Sequence, residues 1–232
     1  MTNDNLPFRI PLPKFQGDSD FGKKEGFLLD KLRKCEQELE NSIINLAVFY
    51  SQMGRQDISM QYLNWLLAFS NSPEKKSSYY LKMGQLFEQI KDYQSAISFY
   101  TNALKCKPND PSERYLLNNN LGYCLNQFSN FSLAEPFLRV AIQINPNRYN
   151  AYKNLGVSLE GQGEFSDAIE FYIKSTQLNA ADSRAFQHLE KLLSNHPEIY
   201  ENNLDLEKKF NQCRDAIILA KEFKNKLSKK NQ

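Results

Sequence analysis

The sequence has few of the residues that build metal centres and disulfide frameworks. Its 232 residues include only two histidines, His188 and His196, and four widely separated cysteines with no C-x-x-C or paired Cys and His spacing. Structural zinc sites need closely spaced ligands, and disulfide scaffolds need paired cysteines. We therefore expect reduced thiols, no metal site and no cofactor.

Long apolar runs and an N-terminal targeting pattern are also missing. No stretch approaches the roughly 18 uninterrupted apolar residues of a membrane span, and the start, MTNDNLPFRIPLPKF, has no basic region followed by an apolar one. The net charge is +2, and only residues 205–232 are clearly basic, which argues against a nucleic-acid binder. These absences predict a cytoplasmic protein with no membrane span and no nucleic-acid partner.

Motifs for catalysis are absent as well. The chain has no phosphate-binding Walker loop, no G-x-G-x-x-G after a strand, no G-x-S-x-G nucleophile elbow and no H-E-x-x-H. We therefore expect that the protein is not an enzyme.

A repeat is present instead. Three segments fall into register: YYLKMGQLFEQIKDYQSAISFYTNALKCKP (79–108), NNNLGYCLNQFSNFSLAEPFLRVAIQINP (118–146) and YKNLGVSLEGQGEFSDAIEFYIKSTQLNA (152–180). Each has a glycine, an apolar residue three places later, an alanine nine further on, and then a large apolar residue. In chain order these are Gly84, Phe87, Ala96 and Tyr100; Gly122, Leu125, Ala134 and Leu138; and Gly156, Leu159, Ala168 and Tyr172.

This spacing has a physical cause in helix packing. A glycine on one helix and an alanine on the next let two backbones nest closely, while the large residues interlock one turn away. One such pair cannot bury its apolar face alone, so neighbouring pairs must stack. The glycines Gly161 and Gly163 are expected to break the helix between the halves of the third unit.

The pattern closely resembles the tetratricopeptide repeat, a 34-residue helix-turn-helix unit. The resemblance implies an all-α fold, a right-handed α-solenoid with extra N- and C-terminal helices. Its units are about 40–73, 77–110, 115–148, 149–182 and a half repeat at 183–196. The unit at 77–110 has all eight signature positions, whereas the next departs at Asn118 and the third at Ala180.

Both ends depart from the repeat. Residues 1–26 carry prolines and glycines and are predicted to be a disordered lead-in or an extended peptide that docks in a groove, and the superhelical domain is predicted at 27–196. From Phe27 the apolar spacing predicts a long helix, and residues 203–229 predict a capping helix with a basic tail. The capping helix has an alternative interpretation as a partner-binding helix or a self-association surface.

The resemblance also implies where a ligand binds. In this family the first helix of each unit lines a concave groove, and position 6 is one of the common contact positions. Here that position holds Asn45, Lys82, Asn120, Asn154 and His188. This column resembles the asparagine ladder of some members, whose amides bond the backbone of an extended peptide because an amide both donates and accepts.

Further groove candidates lie at neighbouring positions of the same helices. They are Asn119, Tyr123, Lys153, Arg184 and Lys191, whose basic members favour an acidic peptide. The carboxylate clamp of chaperone-binding members is a poor match, because only Asn154 and Arg184 fit it.

We therefore expect a protein-protein interaction module, an adaptor, assembly scaffold or chaperone, that holds an extended peptide segment of a partner in its groove. The alternative is a self-assembling structural scaffold, and possible homo-oligomer, that pairs through its end helices or N-terminal segment. Binding of RNA would need a basic concave face, and the near-neutral repeats speak against it.

Overall fold

A computed structural model describes residues 20–201 and 203–230 of the chain, and within these ranges all regular structure is helical. In chain order the helices are α1 (Asp20–Gln52), α2 (Gln56–Phe69), α3 (Pro73–Gln89), α4 (Tyr93–Lys105), α5 (Pro111–Gln127), α6 (Phe131–Ile144), α7 (Tyr149–Gln162), α8 (Phe165–Leu178), α9 (Arg184–Asn195), α10 (Pro197–Tyr200) and α11 (Leu204–Lys230). The predicted all-α solenoid class is confirmed.

The helices fall into two compact units that divide between Asn109 and Asp110. The sequence predicted one domain over 27–196 and gave no sign of this division. In unit 1, which ends at Asn109, α1 packs on α2 and α3 packs on α4. Its core includes a cluster of buried side chains from the first three helices, namely Ala47, Leu63, Met83 and Leu86.

Unit 2 begins at Asp110 and is built in the same way. Helix α5 pairs with α6 and α7 with α8, and the first helices also touch one another, α5 with α7 and α7 with α9. The last helix, α11, packs against α8. This stacking of first helices places the predicted groove residues of unit 2 on neighbouring helices.

Local sequence explains where the first helices begin. Ser72 and Asp110 are N-cap residues whose side chains accept backbone N–H bonds from Lys75 and from Ser112 and Glu113, respectively. A proline follows each of them at the first helical position, where it needs no hydrogen-bond donor. These caps and prolines therefore mark the starts of α3 and α5.

The signature glycines are packing residues, but their partner differs from the predicted one. A methyl group built on Gly122 would lie 2.5 Å from Leu138, and one built on Gly156 would lie 2.5 Å from the ring of Tyr172. The large residue of the second helix thus fills the space of the missing side chain. The buried alanine, such as Ala168, lies one turn earlier on that helix.

The two glycines at the end of α7 have different roles. Only Gly163 breaks the helix, because it takes a left-handed conformation with φ of 83°. Gly161 stays within α7, where a methyl group would collide with the ring of Phe131. The prediction that both glycines break the helix was wrong for Gly161, whose cost in the helix is offset by this contact.

The predicted start of the first helix was also wrong. Helix α1 begins at Asp20 rather than Phe27, so residues 20–26 are helical. A glycine costs a helix only up to about 1 kcal/mol, and Gly26 is exposed with no neighbouring atom near its missing side chain. The lead-in prediction for residues 1–19 lies outside the described residues.

The last helix, α11, nearly matches the predicted 203–229.

Replacing Gly84 with alanine should destabilise the protein, because the added methyl group would overlap the ring of Tyr100. Overpacking costs about 1–3 kcal/mol, more than the fraction of a kcal/mol that alanine adds to a helix. The matched control is Gly26→Ala in α1, where nothing lies within 4 Å and a small gain is expected. Urea unfolding measures both. A gain in stability from Gly84→Ala would contradict the packing assignment.

Candidate functional site

The predicted groove residues divide between the two units. Asn45 lies exposed on α1, and Lys82 lies half-buried on α3, where it lines a cleft with Ile44, Val48 and Gln85. The other eight lie in unit 2, on the adjacent first helices α5, α7 and α9. The most detailed site geometry is therefore in unit 2.

Three predicted asparagines form a chain of hydrogen bonds from α5 to α7. The side-chain amide of Asn154 donates to the side-chain oxygen of Asn119 at 3.0 Å, and Asn119 donates to that of Asn120 at 3.0 Å. Asn154 is only 4% exposed and Asn119 8%, whereas Asn120 is half-buried. The first two amides therefore connect helices, and Asn120 forms the more accessible end.

A second polar link between these helices was missed by the sequence analysis. Asn126 donates to the backbone carbonyl of Asn154 at 2.8 Å and accepts a hydrogen bond from Ser158 at 2.8 Å. All three residues are buried. We call Asn119, Asn120, Asn126, Asn154 and Ser158 the asparagine seam. Because every bond in it is made within the protein, the seam fixes the position of α7 beside α5.

A signal for this seam is present in the sequence, twelve residues before the large residue of the second helix. In two repeats the large residue is a tyrosine and the residue twelve places before it is a glutamate. The tyrosine hydroxyl donates a hydrogen bond to that glutamate, from Tyr100 to Glu88 at 2.7 Å and from Tyr172 to Glu160 at 2.5 Å. In the repeat where the large residue is Leu138, the residue twelve places before it is Asn126, which donates a hydrogen bond to the backbone of Asn154 in the next repeat. Glu160 is thus a structural partner within its own repeat.

Basic side chains of α7 and α9 lie near the asparagine seam. The Lys153 ammonium lies 5.8 Å from the ring centroid of Tyr123, and the His188 ring stacks on Tyr172 with centroids 5.3 Å apart. Burial lowers the pKa of His188, and the charges of Lys153 and Lys191 lower it further against the opposing effect of Glu160. Its ordinary value is 6.5, so at pH 7 His188 is neutral and the lysines carry the charge.

Arg184 is held by an acidic neighbour. Its guanidinium makes a two-pronged contact with Asp182, with Nη2–Oδ2 and Nε–Oδ1 distances of 2.5 and 2.9 Å. This pairing lowers the pKa of Asp182 to about 2. The charge of Arg184 is therefore largely balanced, which leaves Lys153 and Lys191 as the stronger attraction for an anion.

The described residues offer neither a metal site nor a membrane span. Within residues 20–201 and 203–230, no three His, Cys, Asp or Glu side chains come together in a set that could hold a metal ion. In the part of the chain that the structure describes, no helix combines the length and the apolarity that crossing a membrane requires.

Removing either Asn119 or Asn154 should destabilise unit 2, since each change removes the hydrogen bond that a buried polar atom of the other amide makes, at a cost of about 1–3 kcal/mol. The double alanine variant should lose less than the sum, with a coupling of about 1 kcal/mol. Thermal and urea unfolding of the two single variants and the double variant measure this. Asn130→Ala, at an exposed asparagine without a capping bond, is the control. Additive losses would show that the bond between the two amides contributes nothing.

Comparisons with known proteins agree with this architecture. Residues 77–110 match the tetratricopeptide repeat family. Among solved structures, a MamA fragment from Desulfovibrio magneticus RS-1 covers 81% of the chain and 96% of its own length, with 18% identity and a TM-score of 0.60. YrrB, a "TPR protein with an unusual peptide-binding site", covers 84% and 97%, with 20% identity and a TM-score of 0.57. At these identities the likeness shows the fold.

Two sequence relatives are longer proteins. Heat shock protein STI1 of Saccharomyces cerevisiae is 26% identical over 113 residues, which is 49% of this chain and 19% of that protein. Human tetratricopeptide repeat protein 7B is 30% identical over 98 residues, which is 42% of this chain and 11% of that protein. The chain thus matches less than a fifth of the length of either relative.

Proposed function

Since this chain is a tetratricopeptide-repeat protein, we propose that it is an interaction module whose unit 2 holds an extended, acidic segment of a partner protein across α5, α7 and α9. The single observation that carries this proposal is the position of the Lys153 ammonium over the ring of Tyr123, 5.8 Å from its centroid. Lys191 lies exposed on the neighbouring helix α9. An ammonium group over an aromatic face, with a second one on the next helix, suits a chain with carboxylate side chains.

The asparagines have two roles in this proposal. Asn119 and Asn154 fix the spacing of α5 and α7 through their mutual bond, and Asn120, at the accessible end, contacts the peptide backbone. One such bond contributes about 0.5–1.5 kcal/mol, so affinity requires several contacts along the segment. Arg184 adds a weaker attraction, because Asp182 already balances its charge.

Unit 1 carries the same column and is proposed to contact the partner through Asn45 and Lys82. Lys82 suits this role because it lines a cleft whose other walls include Gln85 and Gln89. The similarity to a heat shock protein supports a chaperone-linked adaptor rather than a catalyst, and we place this activity in the cytoplasm.

The double variant Lys153→Gln with Lys191→Gln should weaken binding of an acidic peptide about tenfold, since each exposed charge contributes up to about 1 kcal/mol. The probes are fluorescein-labelled ten-residue peptides with alternating glutamate and serine, and the same peptides with glutamine in place of glutamate. Fluorescence anisotropy at two salt concentrations measures Kd, and the acidic peptide should bind more weakly at high salt.

The control variant is Lys174→Gln, which removes an exposed lysine from α8, a second helix of its repeat. It should leave Kd unchanged. Asn120→Ala should weaken the glutamate and glutamine peptides by the same factor, because a backbone contact does not depend on peptide charge. Equal affinity of the wild type for the two peptides would refute the acidic preference, and failure of both to bind would refute the peptide groove.

A self-assembling scaffold is the second candidate, and the surface of α11 favours it. Toward the end of that helix Leu219 is 65% exposed, Phe223 66% and Leu227 48%. These residues recur every fourth position and so form one stripe on the helix. An apolar stripe without cover in unit 2 is suited to pairing with a second copy.

Light scattering coupled to size exclusion separates the two candidates. A scaffold requires the wild type to exceed its 27.0 kDa monomer mass and the variant Leu219→Ser with Phe223→Ser to return to it. The control is Leu204→Ser, at a 79% exposed leucine that begins the same helix outside the stripe. A monomeric wild type at high concentration would eliminate the scaffold.

A further inference from the structure

An open pocket lies in unit 1 where α1 passes the junction between α2 and α3. Its walls come from the middle of α1, from the end of α2 and the beginning of α3, and they border about 570 Å³ of space that includes open solvent. Its large apolar lining residues include Leu39, Trp65, Phe69 and Tyr79. The proposed peptide groove does not use this pocket.

The apolar wall of the pocket is unusually exposed. Leu39 is 49% exposed and Trp65 and Phe69 are each 41% exposed, and the two aromatic rings lie 4.8 Å apart. Isolated exposed apolar residues are ordinary, but a contiguous aromatic wall beside a concavity is typical of a docking site.

The rim of the pocket is acidic. Glu40 pairs with Lys75 at 2.5 Å, whereas no cation among the described residues makes an ion pair with Glu36. Burial raises the pKa of Glu36, with Glu40 adding to the rise against Lys75 and Arg33. A basic ligand residue would therefore find an acidic partner next to the aromatic wall.

We propose that residues 7–15 of the same chain, PFRIPLPKF, dock along α1 as an extended strand of polyproline type, with Phe8, Arg9 and Ile10 at this pocket. Three prolines restrict the segment to extended conformations, which reduces the entropy lost on docking. Extended proline-containing segments bind aromatic-lined grooves in this way. Phe8 and Ile10 supply apolar anchors for the aromatic wall, and Arg9 between them supplies the cation for Glu36.

The chain is long enough to make this connection. Along α1 the distance from Asp20 to the level of Glu36 and Leu39 is about 24–29 Å at 1.5 Å per residue. The segment from Gly17 back to Phe8 spans about 28 Å at 3.1 Å per residue. Gly17, Asp18 and Ser19 are residue types that favour the reversal of direction before α1. Phe8 and Ile10 can therefore come level with the pocket.

Attachment to α1 also favours the chain's own segment over a separate partner. A short tether holds its end at an effective concentration in the millimolar range. Even a weak contact of a few side chains would then be populated in the free protein. Docking would cover the aromatic wall and leave the peptide face of unit 2 unaffected.

The chain has one tryptophan, and since this is Trp65, its fluorescence reports on the pocket directly. Replacing Phe8 and Ile10 with serine should shift its emission to longer wavelength and increase acrylamide quenching about twofold, because its half-exposed ring loses its cover. The matched control replaces Asn3 and Asn5 with serine and should change neither signal. Glu36→Gln should produce a smaller change in the direction of the anchor variant.

Circular dichroism shows whether the anchor variant keeps its helices, and a synthetic peptide of residues 5–16 supplies a second measurement. Added to the anchor variant, the peptide should restore protection of Trp65 in a saturable way, and a peptide with serine at positions 8 and 10 should not. Identical quenching of wild type and anchor variant would overturn the proposal. Protection that disappears on dilution of the wild type would also overturn it, by assigning the occupant to a second copy.

Discussion

The contact on which this structure depends is made where a large side chain of a second helix fills the space left by a glycine on the first. It occurs between Gly122 and Leu138 and again between Gly156 and Tyr172. Because the glycine contributes no side chain of its own there, each pair is held at a close and repeated distance. That regular distance lets the first helices stack as neighbours, and so it also sets the spacing of the candidate binding face.

The hydrogen bonds near this contact differ according to whether the large residue is a tyrosine or a leucine. A tyrosine brings a hydroxyl, which bonds a glutamate of its own repeat, as Tyr172 does with Glu160. A leucine brings none, and the equivalent Asn126 bonds the following repeat instead. Much of the amide-rich surface is therefore satisfied internally. In the proposed function, specificity for a partner therefore rests on groups at the edge of the seam, chiefly lysines, rather than on a full ladder of asparagines.

The first helix extends the chain beyond the regular repeat and creates a different kind of surface. Glu36 and Leu39, in the part of α1 before the first repeat, line the pocket beside Trp65, and the apolar wall around Trp65 is partly exposed. The proposed peptide face of unit 2 carries amides and lysines, whereas this pocket is aromatic with an acidic rim. The two proposed contacts, one with a partner and one within the chain, therefore use surfaces of different chemistry.

The repeat, the helical class and the role of Gly156 as a packing residue could all be predicted from the sequence, because periodicity and residue size are local properties. The burial and the hydrogen-bond partner of each polar side chain could not be predicted. Asn120 and Asn154 occupy the same repeat position, yet Asn120 is half-buried at the end of the seam and Asn154 is buried within it, where it bonds another helix. Only the approach of α7 to α5 decides this difference, since a hydrogen bond between helices depends on distances that a single helix does not contain.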